Sequence, residues 1–291
     1  MGENNSSVTR VWPVFDHLFK NDPSGAEWFP QLLRMGSEFA SASHGIDDEP
    51  GPLLPHLAQF DRNLPGLSKK VLGSTRSAQI ARIRNAFESD IPPSEEFLRW
   101  LLENPERLEW PLKDRRKKVK RTYGDLTQQL RMRLVSGDRD CRNEALIELD
   151  AFGVAGSRMK WWAFEGFTSV DCRLETDKLL VLIEGKRNEP VSSSTEWFSR
   201  RNQVIRNLEV ARALSGGNKN YAVLVCAEND VTLEEESWAD SLPHMTEFER
   251  GDLRSHFLGC VKWSAIAKEL CGNLRLPDNL DDAVKLCLSY R

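Results

Sequence analysis

Residues 178–186 read KLLVLIEGK, five consecutive apolar residues closing on an acid, a glycine and a base. A run this short, with β-branched Val181 and Ile183, predicts a strand buried on both faces. Period-two alternation places Leu179, Val181 and Ile183 on one face and Glu184 with Lys186 on the other. A carboxylate and an ammonium at the end of a central strand are costly unless paired or bound to a metal. The preceding run, FTSVDCRLE (167–175), carries Asp171. The short Glu175–Lys178 connection predicts a hairpin, and counting back across it brings Asp171 close to Glu184. Two carboxylates so placed repel unless a cation sits between them.

Outward from this stretch, the chain from about residue 111 predicts alternating helices and strands. A basic helix over roughly 112–135 leads to a shorter one, RNEALIELDAF (142–152). Three strands then follow with minimal turns: RMKWWAFEG (158–166), FTSVDCRLE and KLLVLIEGK. The loop NEPVSSST precedes a helix over about 196–214, and YAVLVCAE, HFLGCVKW and SAIAKEL complete a strand, a strand and a helix. The order is helix, three strands, helix, strand, which predicts an α/β layered domain over 111–291. Residues 1–110 predict a mainly helical N-terminal region, polar and frayed over 1–10. Ile80, Ile83 and Phe87 predict one helix over 75–89, and Ser94 reads as the N-cap of the next. This region could recognise a substrate, bind a partner or mediate a homodimer, and none of its residues decides among them.

Composition narrows the class. The chain has 291 residues, 40% hydrophobic and 29% charged, as a globular protein with a sizeable core would. No apolar run reaches the roughly 18 residues a membrane span needs, and MGENNSSVTR lacks the apolar centre of a secretory signal. The six cysteines form no C-x-x-C pair, which argues against a zinc site or a dense disulfide framework and predicts reduced thiols and a cytoplasmic setting. Net charge is −4, yet residues 113–121, KDRRKKVKR, hold seven cations against one acid. Arg116, Lys117, Lys118 and Lys120 in that run are candidate phosphate contacts.

Asp171 and Glu184 offer hard oxygen ligands suited to magnesium, with manganese as its substitute. The Gly185 carbonyl could add another. Metal-activated water together with Lys186, which would orient it or offset charge on a phosphate, predicts phosphodiester hydrolysis. On the helix that follows, Arg200, Gln203 and Asn207 align along one border, with Arg206 beside Gln203.

The spacing Asp171, twelve residues, Glu184-Gly185-Lys186 resembles the PD-(D/E)XK nuclease superfamily, with Val170 where the motif has proline. The element order over about 139–228 is similar to that family's restriction-endonuclease-like core. The resemblance implies a magnesium-dependent nuclease acting on DNA, with RNA as the other candidate polymer. It further implies a metal-proximal glutamate on the helix before the first strand, for which Glu144 is better spaced than Glu148. By the same resemblance Gln203 would touch the metal-bound water or a phosphate, and Arg200 or Arg206 a phosphate oxygen.

Two other readings stand beside this one: a nucleic-acid-binding or assembly protein on the same fold that does not cut, and a plain Glu184–Lys186 ion pair. The five histidines show no metal-ligand spacing, and SGGNKN lacks a full phosphate-loop pattern. Ser192, Ser193 and Ser194 read as loop and capping residues. Trp161 and Trp162, adjacent on a predicted strand, should face opposite ways.

Overall fold

The computed structural model describes residues 6–22, 24–44, 89–109, 113–176, 178–279, 282–283 and 285–286, with side chains at all of these except 7–8, 37–44, 89 and 113–123. The helix expected over 75–89 lies outside the described residues up to 88, and residue 89 opens a strand; the side chains of Arg116, Lys117, Lys118 and Lys120 also lie outside the described residues.

KLLVLIEGK forms the strand the alternation predicts. β4 (Leu179–Gly185) is buried at every position. It pairs antiparallel with β3 (Cys172–Glu175) and parallel with β5 (Asn220–Ala227), which pairs parallel with β6 (Phe257–Lys262). The result is a mixed four-stranded sheet of order β3-β4-β5-β6. Parallel neighbours require crossovers. Helix α6 (Gln203–Ser215) makes the first, and α7 (Glu235–Ser241) with α8 (Glu247–Arg254) makes the second.

Alternation along β4 divides the core between two layers. Leu180 and Leu182 pack with Val204, Ile205, Leu208 and Ala211 of α6. Leu179, Val181 and Ile183 pack with Val14, Phe15 and Leu18 of α1 (Trp12–Asn21), with Leu32 and Leu33 of α2 (Trp28–His44), and with Trp263 and Ile266 of α9 (Trp263–Glu269). Gly36 lets α2 lie flat on the sheet, since a Cβ there would stand 2.8 Å from Leu224 and 3.0 Å from the Leu258 carbonyl. The N-terminal helices α1 and α2 are thus one wall of the α/β layers among the described residues. Thr9 and Arg10, expected to fray, are buried.

A third core is helical. Phe97, Leu98, Leu101 and Leu102 of α3 (Glu95–Glu103) meet Cys141, Ala145 and Leu149 of α5 (Arg139–Phe152). Ser94 caps α3 as expected, accepting from the Phe97 amide at 3.3 Å. The basic helix, α4 (Lys113–Val135), is interrupted at Gly124, whose φ of 84° is not helical. The five described cysteines carry no disulfide. Among the described residues, no helix is long and apolar enough to cross a membrane.

Three expectations fail for identifiable reasons. Residues 158–166 form successive turns instead of a strand: Met159 has a left-handed φ of 67°, and Lys160 N–H donates back to Ser157. Arg131 takes the carbonyls of Trp161 and Ala163 at 2.5 and 3.3 Å, groups a sheet would otherwise use. Trp161 and Trp162 are both buried in the helical core. FTSVDCRLE, expected as one strand, bends at Asp171. Its first part, β2 (Thr168–Val170), leaves the main sheet to pair with β1 (Ser89–Ile91). The helix expected from 196 begins at Gln203, where Asn202, not a serine of 192–194, caps it by accepting from Val204 and Ile205.

Candidate active site

The strand ends gather the polar residues. Ile183 stands opposite Cys172, so Asp171, one step further, falls beside Glu184. The Gly185 N–H donates to Asp171 Oδ2 at 2.8 Å, tying the bend in the FTSVDCRLE stretch to the end of β4. Lys186 N–H continues the ladder to Cys226 O at 2.8 Å, and Trp263 Nε1 donates to Lys186 O at the same distance. The backbone carrying Glu184 and Lys186 is therefore fixed from both sides. Only glycine fits at 185, because a Cβ would lie 2.3 Å from Val11 Cγ2.

The side chains form a closed network. Glu184 Oε1 accepts from Lys186 Nζ at 2.7 Å and from Gln203 Nε2 at 2.6 Å. Glu184 Oε2 accepts from Asn207 Nδ2 at 3.1 Å, and Lys186 Nζ also donates to Gln203 Oε1 at 3.0 Å. Gln203 and Asn207, one turn apart at the start of α6, face the strand together. Burial, then the like charge of Asp171, pushes the Glu184 carboxyl up to about 7, while Lys186 and Arg206 pull the other way. A buried acid beside a second acid is an environment that a cation would relieve.

Arg206 lies nearby, largely buried, donating to Thr168 Oγ1 at 2.6 Å. Its Nε has no hydrogen-bond partner among the described residues. Burial lowers its pKa, against the attraction of Glu165 and Glu184. Arg200 lies apart: it is exposed and pairs with Asp240 at 3.2 Å. Among the described residues, no hydrogen bond or ion pair ties Glu144 to Asp171 or Glu184. Glu144 is exposed on α5, a helix that packs in the separate helical core. Among the described residues, no metal-ligating trio of His, Cys, Asp or Glu includes Asp171 or Glu184.

The entry of α6 is held by a buried ionic knot. Arg201 Nε and one terminal nitrogen donate to Glu165 at 2.8 and 3.0 Å, and that same terminal nitrogen reaches Glu209 Oε2 at 2.7 Å. The other terminal nitrogen donates to Ser241 O at 2.7 Å, and the guanidinium stacks over Phe97. Opposing the cost of burial, Arg201 and His244 hold the Glu209 carboxyl down at about 2. Sequence reading found Gln203 and Arg206 but assigned no role to Asn207, whose spacing of four from Gln203 was the available signal. Arg201, Thr168 and the Val11 contact with Gly185 had no signal in the pattern.

No protein-family model, curated protein or solved structure matches this chain.

Proposed function

We propose that the chain is a divalent-metal-dependent nuclease hydrolysing phosphodiester bonds, with DNA as the substrate polymer. The observation that carries this reading is the juxtaposition, at the end of a fully buried central strand, of Glu184 and Lys186 bridged by Gln203, with Asp171 bound to the intervening glycine amide. That constellation is what the PD-(D/E)XK superfamily uses. The succession of α5, the antiparallel pair β3 and β4, α6 and the parallel strand β5 supports a core of that type, although residues 158–166 supply no first strand.

The donor set fits a cation of magnesium's class. Asp171 and Glu184 are oxygen donors, and the cost of burying Glu184 beside a second carboxylate falls when positive charge is present. Asp171, Glu184 and the Gly185 carbonyl would hold the ion. It would supply Lewis-acid polarisation of the phosphate and a more acidic water. Lys186 has three N–H donors and spends two on Glu184 and Gln203, leaving the third for the attacking water or a phosphate oxygen. Gln203 fixes the orientation of both partners. Arg206, whose described partner is a neutral hydroxyl, provides a guanidinium for a phosphate oxygen. Hydrolysis adds water across a P–O bond, leaving a phosphate monoester and an alcohol.

The test is incubation of purified protein with circular, linear, single-stranded and branched DNA, and with RNA, in magnesium or in chelator. Cleavage with magnesium and none with chelator is the expected outcome. Absence of cleavage on every polymer, with nucleic acid still bound, would favour the non-cutting reading.

A further inference from the structure

We propose a second metal site, separate from the Asp171–Glu184 centre, in which Glu96, Glu209 and His244 bind a transition-metal dication of zinc's class. The three residues come from distant parts of the chain: α3, α6 and the turn between α7 and α8. Each offers a ligand atom, and these atoms all lie within 4.8 Å of one another. His244 Nε2 and Glu209 Oε1 stand 2.9 Å apart. Two ligands of a tetrahedral zinc ion with bonds of about 2.0 Å lie about 3.3 Å apart, so the ion would open this contact by only a few tenths of an ångström.

The surroundings are those of a held ligand set. Glu209 Oε2 is fixed by Arg201 at 2.7 Å, and Glu96 Oε2 by Arg212. Each carboxylate thus has one oxygen anchored by an arginine, the outer-sphere pattern that orients metal ligands, and the Glu209 carboxylate also takes His244 and a hydrogen bond from the Ser94 side chain. The His244 side chain is only 6% exposed, and its Nδ1 has no hydrogen-bond partner among the described residues. Its ring sits against Phe97 and Trp100, and its one described polar tie is to Glu209. Glu249 lies within electrostatic reach of His244. Glu96 is exposed, so the site opens to solvent on one side for entry and for a water ligand. The mixed histidine–carboxylate set selects zinc or cobalt over magnesium. Bound there, the ion would clamp α3 to α6.

The full-length protein, stripped with chelator and dialysed, is titrated with zinc by calorimetry and with cobalt by visible absorption. The wild type and an Asp171→Asn/Glu184→Gln double variant should each take up one tight equivalent, with the cobalt bands of a four-coordinate site. Glu96→Gln, at an exposed position that leaves the fold intact, should weaken zinc binding at least tenfold, and His244→Gln should do the same. Two results would overturn the proposal: no tight zinc uptake by the wild type, or uptake that is unchanged in Glu96→Gln and lost only in the double variant. The nuclease reading is unaffected by either, because its own assay uses magnesium.

Discussion

In the proposed nuclease, Glu184 is the residue on which the chemistry would turn. Three side chains donate to its carboxylate, so removing the charge releases Lys186 and the two amides together. Glu184→Gln, Asp171→Asn and Lys186→Ala should each lower cleavage by at least about 100-fold, the scale set by losing a group that stabilises transition-state charge. Their circular dichroism should stay that of the wild type; retained cleavage in any one removes its assigned role. Asn207→Ala should weaken magnesium dependence more than it alters the maximal rate, read from rate against magnesium concentration. Gly185→Ala is a packing prediction: a Cβ 2.3 Å from Val11 should destabilise by roughly 1–3 kcal/mol, measured by denaturant unfolding. At this scale much was legible, because period-two parity fixes which side chains share a face and a short hairpin fixes what stands opposite. Glu144 was not. Helical spacing tells which residues share a face but not what that face meets, and α5 meets α3.

Helix α6 is the element that completes the site, and Arg201 sets its entry. A buried cation bound to two carboxylates is costly to break, since each deletion strands an opposite charge. Arg201→Met or Glu209→Gln should therefore destabilise by about 3–5 kcal/mol. The pH dependence follows from Glu209, whose folded carboxyl is held near 2, below its ordinary 4.5. The unfolded chain binds that proton more readily, so the stability contributed is complete above pH 5 and is lost as pH falls from about 4.5 towards 2. In chelator, the melting-temperature gap between wild type and Glu209→Gln should be widest at pH 7 and shrink towards pH 3; a constant gap would contradict the assignment. Strong elements such as β4, β5 and α3 were readable from periodicity and caps. Residues 158–166 were not, because an aromatic-rich apolar run satisfies a strand pattern as well as it satisfies turns packed against helices. Residues 196–202 misled similarly: Trp197 fits the apolar face of α6 by spacing, yet it is buried in the helical core.

At the scale of the molecule, the N-terminal helices and the α/β layers are one construction. Residues 11–33 supply a wall of the core around Leu179, Val181 and Ile183, and Arg10 pairs with Glu228 just past β5. Deleting residues 1–44 should therefore yield aggregated or unfolded protein, checked by solubility and circular dichroism; a folded, soluble remainder would show that wall to be dispensable. The packing of residues 11–33 on the sheet had no signal in local composition, because local texture does not report long-range packing. The charge pattern gives a separate prediction: neutralising Arg116, Lys117, Lys118 and Lys120 should weaken DNA binding and flatten its dependence on salt, by roughly one counterion for each phosphate no longer neutralised. The most direct test of the whole account is a magnesium-dependent cleavage assay comparing wild type with Glu184→Gln on plasmid DNA. The account predicts nicking or degradation by the wild type that chelator abolishes and the variant lacks. Equal cutting by both proteins would contradict it.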